Sequence, residues 1–213
     1  NAVQFSNFFT GSDEWHNIKI DLQGNLIQVY LDNQTRGIYQ RHSLYRSGSI
    51  AIGTYGLDRP AYFDDISVSN VIVNNTWSQA PGSRFTGRSD GGRWQLIEDP
   101  SGNYVYTQSV VNDNAYHTAL MRNEAITDGT IETKFKLGYD SDDRAQVYFR
   151  LDKNGNGYVA QLKRSYNDAY IYLNTVKEYA VSTQIGQSIK STDAFYGNLS
   201  DAWHTLKVSL DGN

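Results

Sequence analysis

Trp15-His16-Asn17-Ile18-Lys19-Ile20-Asp21-Leu22-Gln23-Gly24-Asn25 reads as one β-strand running into a tight turn. Ile18, Ile20 and Leu22 alternate with Asn17, Lys19 and Asp21, the period of two that places successive side chains on opposite faces of a sheet. Gly24 and Asn25 tolerate the positive φ that a short hairpin turn requires. The same stretch recurs as Trp203-His204-Thr205-Leu206-Lys207-Val208-Ser209-Leu210-Asp211-Gly212-Asn213, with six of the eleven positions identical and the others mostly conservative. The first copy leads into further strands, whereas the second closes the sequence.

Outward from this repeat the alternation continues. It predicts strands over 26–31, 49–54, 62–68, 104–108, 130–137, 144–151, 158–163, 169–176 and 203–210, besides 15–22. Turn signals separate them, among them Asp99-Pro100-Ser101-Gly102-Asn103, Asp128-Gly129 and Asn154-Gly155-Asn156-Gly157. No amphipathic pattern longer than about two helical turns interrupts them. The fold class expected is all-β, a two-sheet antiparallel β-sandwich. The repeat divides the chain into residues 1–70, the back half of one module; a linker at 71–81; and residues 82–213, the front part of the next. Without a duplicated stretch of roughly 24 residues about 189 remain, the size of one large sandwich. The halves are therefore expected to form one circularly permuted sandwich, with 77–213 supplying the early strands and 25–70 the late ones, or to combine by swapping between two chains. Either half alone would leave sheet edges unpaired and apolar faces wet.

Composition narrows the partners. With 39% hydrophobic and 20% charged residues the chain is globular in character, and its net charge of -4 comes without a basic block. Nucleic acid and anionic membrane are thereby disfavoured, since phosphate binding needs clustered Lys and Arg. No run approaches the roughly 18 apolar residues of a membrane span. The absence of Cys removes disulfides, thiolate zinc sites and thiol catalysis. Tyr is abundant, at 16 against 8 Phe and 4 Trp. It offers a stacking face with a hydroxyl handle, which suits both strands and sugar contacts.

The ordered set Trp94-Gln95-Leu96, Tyr104-Val105-Tyr106, 130–137, Tyr148-Phe149-Arg150, Gly157-Tyr158 and Trp203-His204 with Lys207, followed by 48–53 and Ala61-Tyr62-Phe63-Asp64-Asp65-Ile66, resembles the laminin-G-like, concanavalin A-like jelly-roll modules. Such modules are appended to secreted bacterial pectate lyases and glycanases. The resemblance covers nearly the whole chain once the halves are read in permuted order. It implies a carbohydrate ligand, secretion, neighbouring modules on the same polypeptide, and often a structural calcium ion.

Within 144–151 parity separates Ala145, Val147, Phe149 and Leu151, expected in the core, from Arg144, Gln146, Tyr148 and Arg150. The second set joins an aromatic ring to guanidinium and amide groups, the combination that holds sugars by stacking and planar hydrogen bonds. Gln161 and Lys163 alternate around Leu162, and Tyr170 and Tyr172 around Ile171. The expected carbohydrate face is thus Arg144, Tyr148, Arg150, Gln161, Lys163, Tyr170 and Tyr172, with the loop residues Tyr139, Asp142 and Tyr166 as the fallback. A merely solvated outer face is the alternative reading.

Asp64 and Asp65 are the calcium candidates, while Asp152-x-Asn154-x-Asn156-Gly157 opens like an EF-hand loop but has Lys163 in place of the closing Glu and reads as a hairpin turn. His16 and His204 fall on the apolar parity of their strands and read as packing residues. No Glu-x-Asp-x-x-Glu, His-Glu-x-x-His or P-loop string occurs. These observations lead to a secreted, non-catalytic carbohydrate-binding module that targets a polysaccharide-degrading enzyme to its glycan. A spacer or adhesion repeat of a large bacterial surface protein is the alternative.

Overall fold

A computed structural model describes residues 4–5, 16–31, 37–57, 60–69, 85–87, 90–98, 104–111, 114–137, 143–165, 168–191 and 204–209. The described residues form strands and connecting turns, and no helix occurs among them. The larger sheet runs β1 (Gln4–Phe5), β16 (Ile189–Ser191), β14 (Asp168–Lys177), β13 (Gly157–Ser165), β12 (Arg144–Leu151), β5 (Gly48–Tyr55), β10 (Tyr116–Ile126), β7 (Phe85–Gly87), with β15 (Ala180–Gln184) also paired to β14. The smaller sheet runs β4 (Gly37–Arg41), β3 (Leu26–Leu31), β17 (His204–Ser209), β2 (His16–Gln23), β11 (Gly129–Lys136), β6 (Ala61–Ser69), β9 (Tyr104–Gln108), β8 (Trp94–Glu98). Pairing is antiparallel except between β1 and β16 and between β17 and β2. The chain is an all-β protein whose two antiparallel sheets pack as a sandwich.

Strands from both sequence segments share each sheet. β5 lies between β12 and β10, and β6 pairs with both β11 and β9, so residues 48–69 are bonded on both sides to strands of 104–151. The linker proposed at 71–81 lies outside the described residues. The core between the sheets takes Ile50 and Ile52 of β5, Val147 and Phe149 of β12, and Leu173 of β14 from one side. Ile27 and Val29 of β3, Phe63 of β6 and Phe135 of β11 meet them from the other. Burying each such side chain stabilises the fold by about 1.5 to 3 kcal/mol. Parity in β6 slips at Asp64-Asp65, because Asp65 adopts a left-handed backbone at φ 45°, so that Phe63 and Ile66 both reach the core.

Two features depart from simple alternation. β10 is an eleven-residue strand that alternation does not predict; its pairing with β5 shifts register between Leu120 and Ala125, across the polar run Arg122-Asn123-Glu124. The other is Arg150. The register of β12 on β5 shifts between Tyr148 and Leu151, and Arg150 stands at φ 52° within that bulge. The backbone here presses on Gly48, where a Cβ would come within 2.3 Å of the Arg150 carbonyl carbon and the Leu151 oxygen.

A bulge re-aims the side chain it carries. Arg150 is accordingly 1% exposed and does not project beside Tyr148, as the sequence suggests. Its Nε and Nη2 donate to the Thr127 carbonyl at 3.0 and 2.6 Å, and Nη1 donates to Gly24 O at 2.9 Å and Tyr45 O at 3.3 Å. Asp128 lies 3.3 Å from Nη2. Burial lowers the guanidinium pKa from its ordinary value, and Asp128 opposes that. One side chain thereby ties the β2–β3 turn, the segment before β5 and the β10–β11 turn together. Arg150→Ala is expected to destabilise the fold by about 3 kcal/mol, because three carbonyls lose a buried charged donor. Urea unfolding monitored by Tyr and Trp fluorescence measures it, and a loss under about 1 kcal/mol would contradict the anchoring role.

Candidate functional site

The outer face of the larger sheet is built from registered rows. One row carries Tyr116, Tyr55, Arg144, Lys163 and Tyr170, one residue from each of five adjacent strands. The next carries Thr118, Gly53, Gln146, Gln161 and Tyr172, and the third Leu120, Ala51, Tyr148, Val159 and Asn174. Five strands at about 4.8 Å spacing make each row roughly 19 Å long. Six of the seven residues expected on a carbohydrate face therefore share it, and Arg150 does not.

The face is uneven in exposure. Tyr148 is 0% exposed and Gln161 4%, although both were expected to project into solvent. The physical reason is a second apolar cluster on this side of the sheet, made by Ala51, Tyr148, Leu151, Val159 and Val176, with Leu120, Tyr179 and Val181 against it. Gly53 provides room for the Tyr148 ring, since a Cβ there would meet Tyr148 Cε2 at 2.6 Å and the His117 carbonyl oxygen at 2.9 Å. The Tyr148 hydroxyl donates to Gln146 Oε1 at 3.0 Å, and Gln146 Nε2 donates to Gln161 Oε1 at 3.0 Å. Buried polar groups linked in this way fix one another's orientation.

The opposite end of the face is half-exposed, aromatic and cationic. The Arg144 guanidinium carbon lies 4.5 Å from the centroid of the Tyr55 ring, a cation–π arrangement, and the Tyr55 and Tyr116 rings are 4.5 Å apart. Tyr170 and Tyr172 stack with centroids 5.9 Å apart at 22°. Lys163 is registered between Arg144 and Tyr170. Tyr55 and Tyr116 extend the expected set and are missed by reading 144–176 alone. The alternation of Ile50 and Ile52 with Ala51, Gly53 and Tyr55 is the signal that could have placed Tyr55 here. Tyr139, Asp142 and Tyr166 lie outside the described residues, as do the side chains of His16 and His204.

The calcium candidates Asp64 and Asp65 are engaged within the chain. The Asp65 backbone N–H donates to Asp64 Oδ1 at 2.7 Å, and the Lys134 ammonium pairs with the Asp65 carboxylate. Among the described residues no group of three or more His, Asp or Glu side chains could hold a metal ion. The pair is accounted for by the backbone slip it occupies. The Asp152 loop is a turn whose carboxylate is engaged internally. Oδ1 accepts from the Asn154 and Asn156 backbones at 2.8 and 2.9 Å, and Oδ2 from Asn156 Nδ2 at 2.9 Å.

Gly87-Arg88-Ser89-Asp90-Gly91 spells Gly-x-Ser-x-Gly, the string of a nucleophile elbow. An elbow needs a strand followed by a helix, whereas here β7 precedes and β8 follows. Ser89 lies outside the described residues. Asp90 accepts from the Gly92 and Thr118 backbones at 3.1 and 2.9 Å, fastening this loop to β10. No family model, curated protein or solved structure matches the chain.

The Asp152 carboxyl is held below the ordinary aspartate range, chiefly by the Asn156 backbone N–H and then by the Asn156 side chain. A depressed folded-state pKa contributes stability that is present above the unfolded-state value and lost as pH falls through the folded value. Asp152→Asn should therefore melt below the wild type at pH 7, and the two melting curves should converge in acid. A constant difference from pH 7 to pH 2 would show that ionisation of Asp152 is not the cause.

Proposed function

We propose that this chain is a secreted, non-catalytic carbohydrate-binding module of the laminin-G-like, concanavalin A-like jelly-roll kind, which holds a polysaccharide-degrading enzyme against its glycan. The observation that carries this reading is the half-exposed row Tyr116, Tyr55, Arg144, Lys163 and Tyr170. It offers stacking surfaces flanking two cations on a rigid sheet, about 19 Å long. Pyranose rings bind by laying their C–H faces on aromatic rings and their hydroxyls on planar donors. The adjacent Arg144 and Lys163 favour a glycan with carboxylates, a polyuronate, over a neutral one. The buried Tyr148, Gln146 and Gln161, in the neighbouring rows of the same face, brace this row from the side rather than touch the ligand.

A spacer or adhesion repeat remains the second reading, favoured by the internal repeat and by the burial of Tyr148 and Gln161. Native affinity gels containing polygalacturonate, a neutral glucan or a xylan discriminate the two. Retardation on polygalacturonate supports the binding module, and no retardation on any member of a broad glycan panel sinks it. Neither reducing ends nor unsaturated products should appear on incubation with these glycans.

Arg144→Ala and Tyr55→Ala are expected to weaken glycan affinity by about 5- to 150-fold, equivalent to about 1 to 3 kcal/mol. Both sites are half-exposed, so the Tm should fall by no more than a few degrees. Tyr148→Ala should behave oppositely, with a loss of about 3 to 5 kcal/mol of stability from removing a buried ring. Calorimetric titration alongside thermal melts separates the two patterns, and unchanged affinity in both Arg144→Ala and Tyr55→Ala would remove this row from the site.

A further inference from the structure

The two copies of the eleven-residue repeat meet in the smaller sheet. At one end they lie side by side, parallel and in equivalent register, with His16 opposite His204, Asn17 opposite Thr205 and Ile18 opposite Leu206. Farther along they converge on the same neighbours. Ile20 and Val208, equivalent positions of the repeat, are both registered against Ile131 of β11 and both against Val29 of β3. Asp21 and Ser209, also equivalent, are both registered against Thr130. Beyond these strands the sheet continues through β4, paired to β3, and β6, paired to β11.

A strand edge presents a single row of N–H and C=O groups, and paired strands lie about 4.8 Å apart, so one position accepts one strand. Val29 on one flank and Thr130 and Ile131 on the other thus bound one strand-wide site that two strands of closely matched sequence approach in the same direction. Val29 and Ile131 are both fully buried, so an unfilled site would wet core side chains as well as strip two strand edges. We propose that β2 and β17 are interchangeable occupants of this one position between β3 and β11. The inference rests on register and repeat, and is independent of the carbohydrate reading.

The absence of Cys makes disulfide trapping a direct test. Directly opposed antiparallel residues have Cα atoms about 4.5 to 5.5 Å apart, within disulfide reach. Val29→Cys with Ile20→Cys, and separately Val29→Cys with Val208→Cys, should both oxidise nearly completely under native conditions with unchanged far-UV circular dichroism, whether the bond forms within one chain or between two. Oxidation of only one pair would assign the position to one copy and overturn the proposal. Proline provides a second measurement, since it removes a ladder donor. Ile20→Pro and Val208→Pro should each shift the Tm by no more than about 3 °C, and the double variant should lower it by about 6 to 12 °C. A single variant as unstable as the double would overturn the proposal equally.

Discussion

Both backbone edges of β5 are hydrogen-bonded, to β10 on one side and β12 on the other, and the larger sheet is continuous only through that strand. β6 does the same in the smaller sheet by joining β11 to β9. Residues 48–69 are therefore the shared seam of both layers. Their small outward residues also shape the opposite surface: Ala51 and Gly53 leave the space into which the Tyr148 ring sinks, and Gly48 admits the bulge that turns Arg150 away. A pairing constraint thus decides which polar groups of β12 reach solvent.

The outer face is consequently graded. Near Leu151 and Val176 it is apolar and closed, in the middle a Tyr148–Gln146–Gln161 chain is buried and internally bonded, and near Arg144 it opens. Rigidity increases toward the closed end, where rotamers are locked by packing, while chemical variety increases toward the open one. At the open end the Arg144–Tyr55 contact is what restricts the two side chains.

Alternation was sufficient to read the strands whose hydrophobic period is unbroken, such as 26–31, 104–108 and 144–151, and hence the all-β class. It failed where the backbone slips and also passed over the five-residue strands β4 and β8. β10 is hidden by its register shift at 120–125, and the inward turn of Arg150 follows from a positive φ that no residue in the sequence announces. Parity assigned Arg144, Tyr148, Gln161, Lys163, Tyr170 and Tyr172 to one face, because period two is local. Their exposure was not legible, since it depends on Ala51 and Gly53, more than ninety residues away in sequence. Tyr55 and Tyr116 were missed for the same reason: their proximity to Arg144 exists only through pairing across strands.

The seam formed by β5 also carries a cost during synthesis. Its residues Ile50 and Ile52 are made about ninety residues before β12, so at roughly 5 to 20 residues per second they wait on the order of 5 to 20 s for that partner. Until β10 follows, about sixty residues later, an apolar strand with two open edges is present on the nascent chain, and one edge stays open until β12 is made. Pairing of β5 thus waits for strands far along the chain, and its open edges are exposed to mispairing in the meantime.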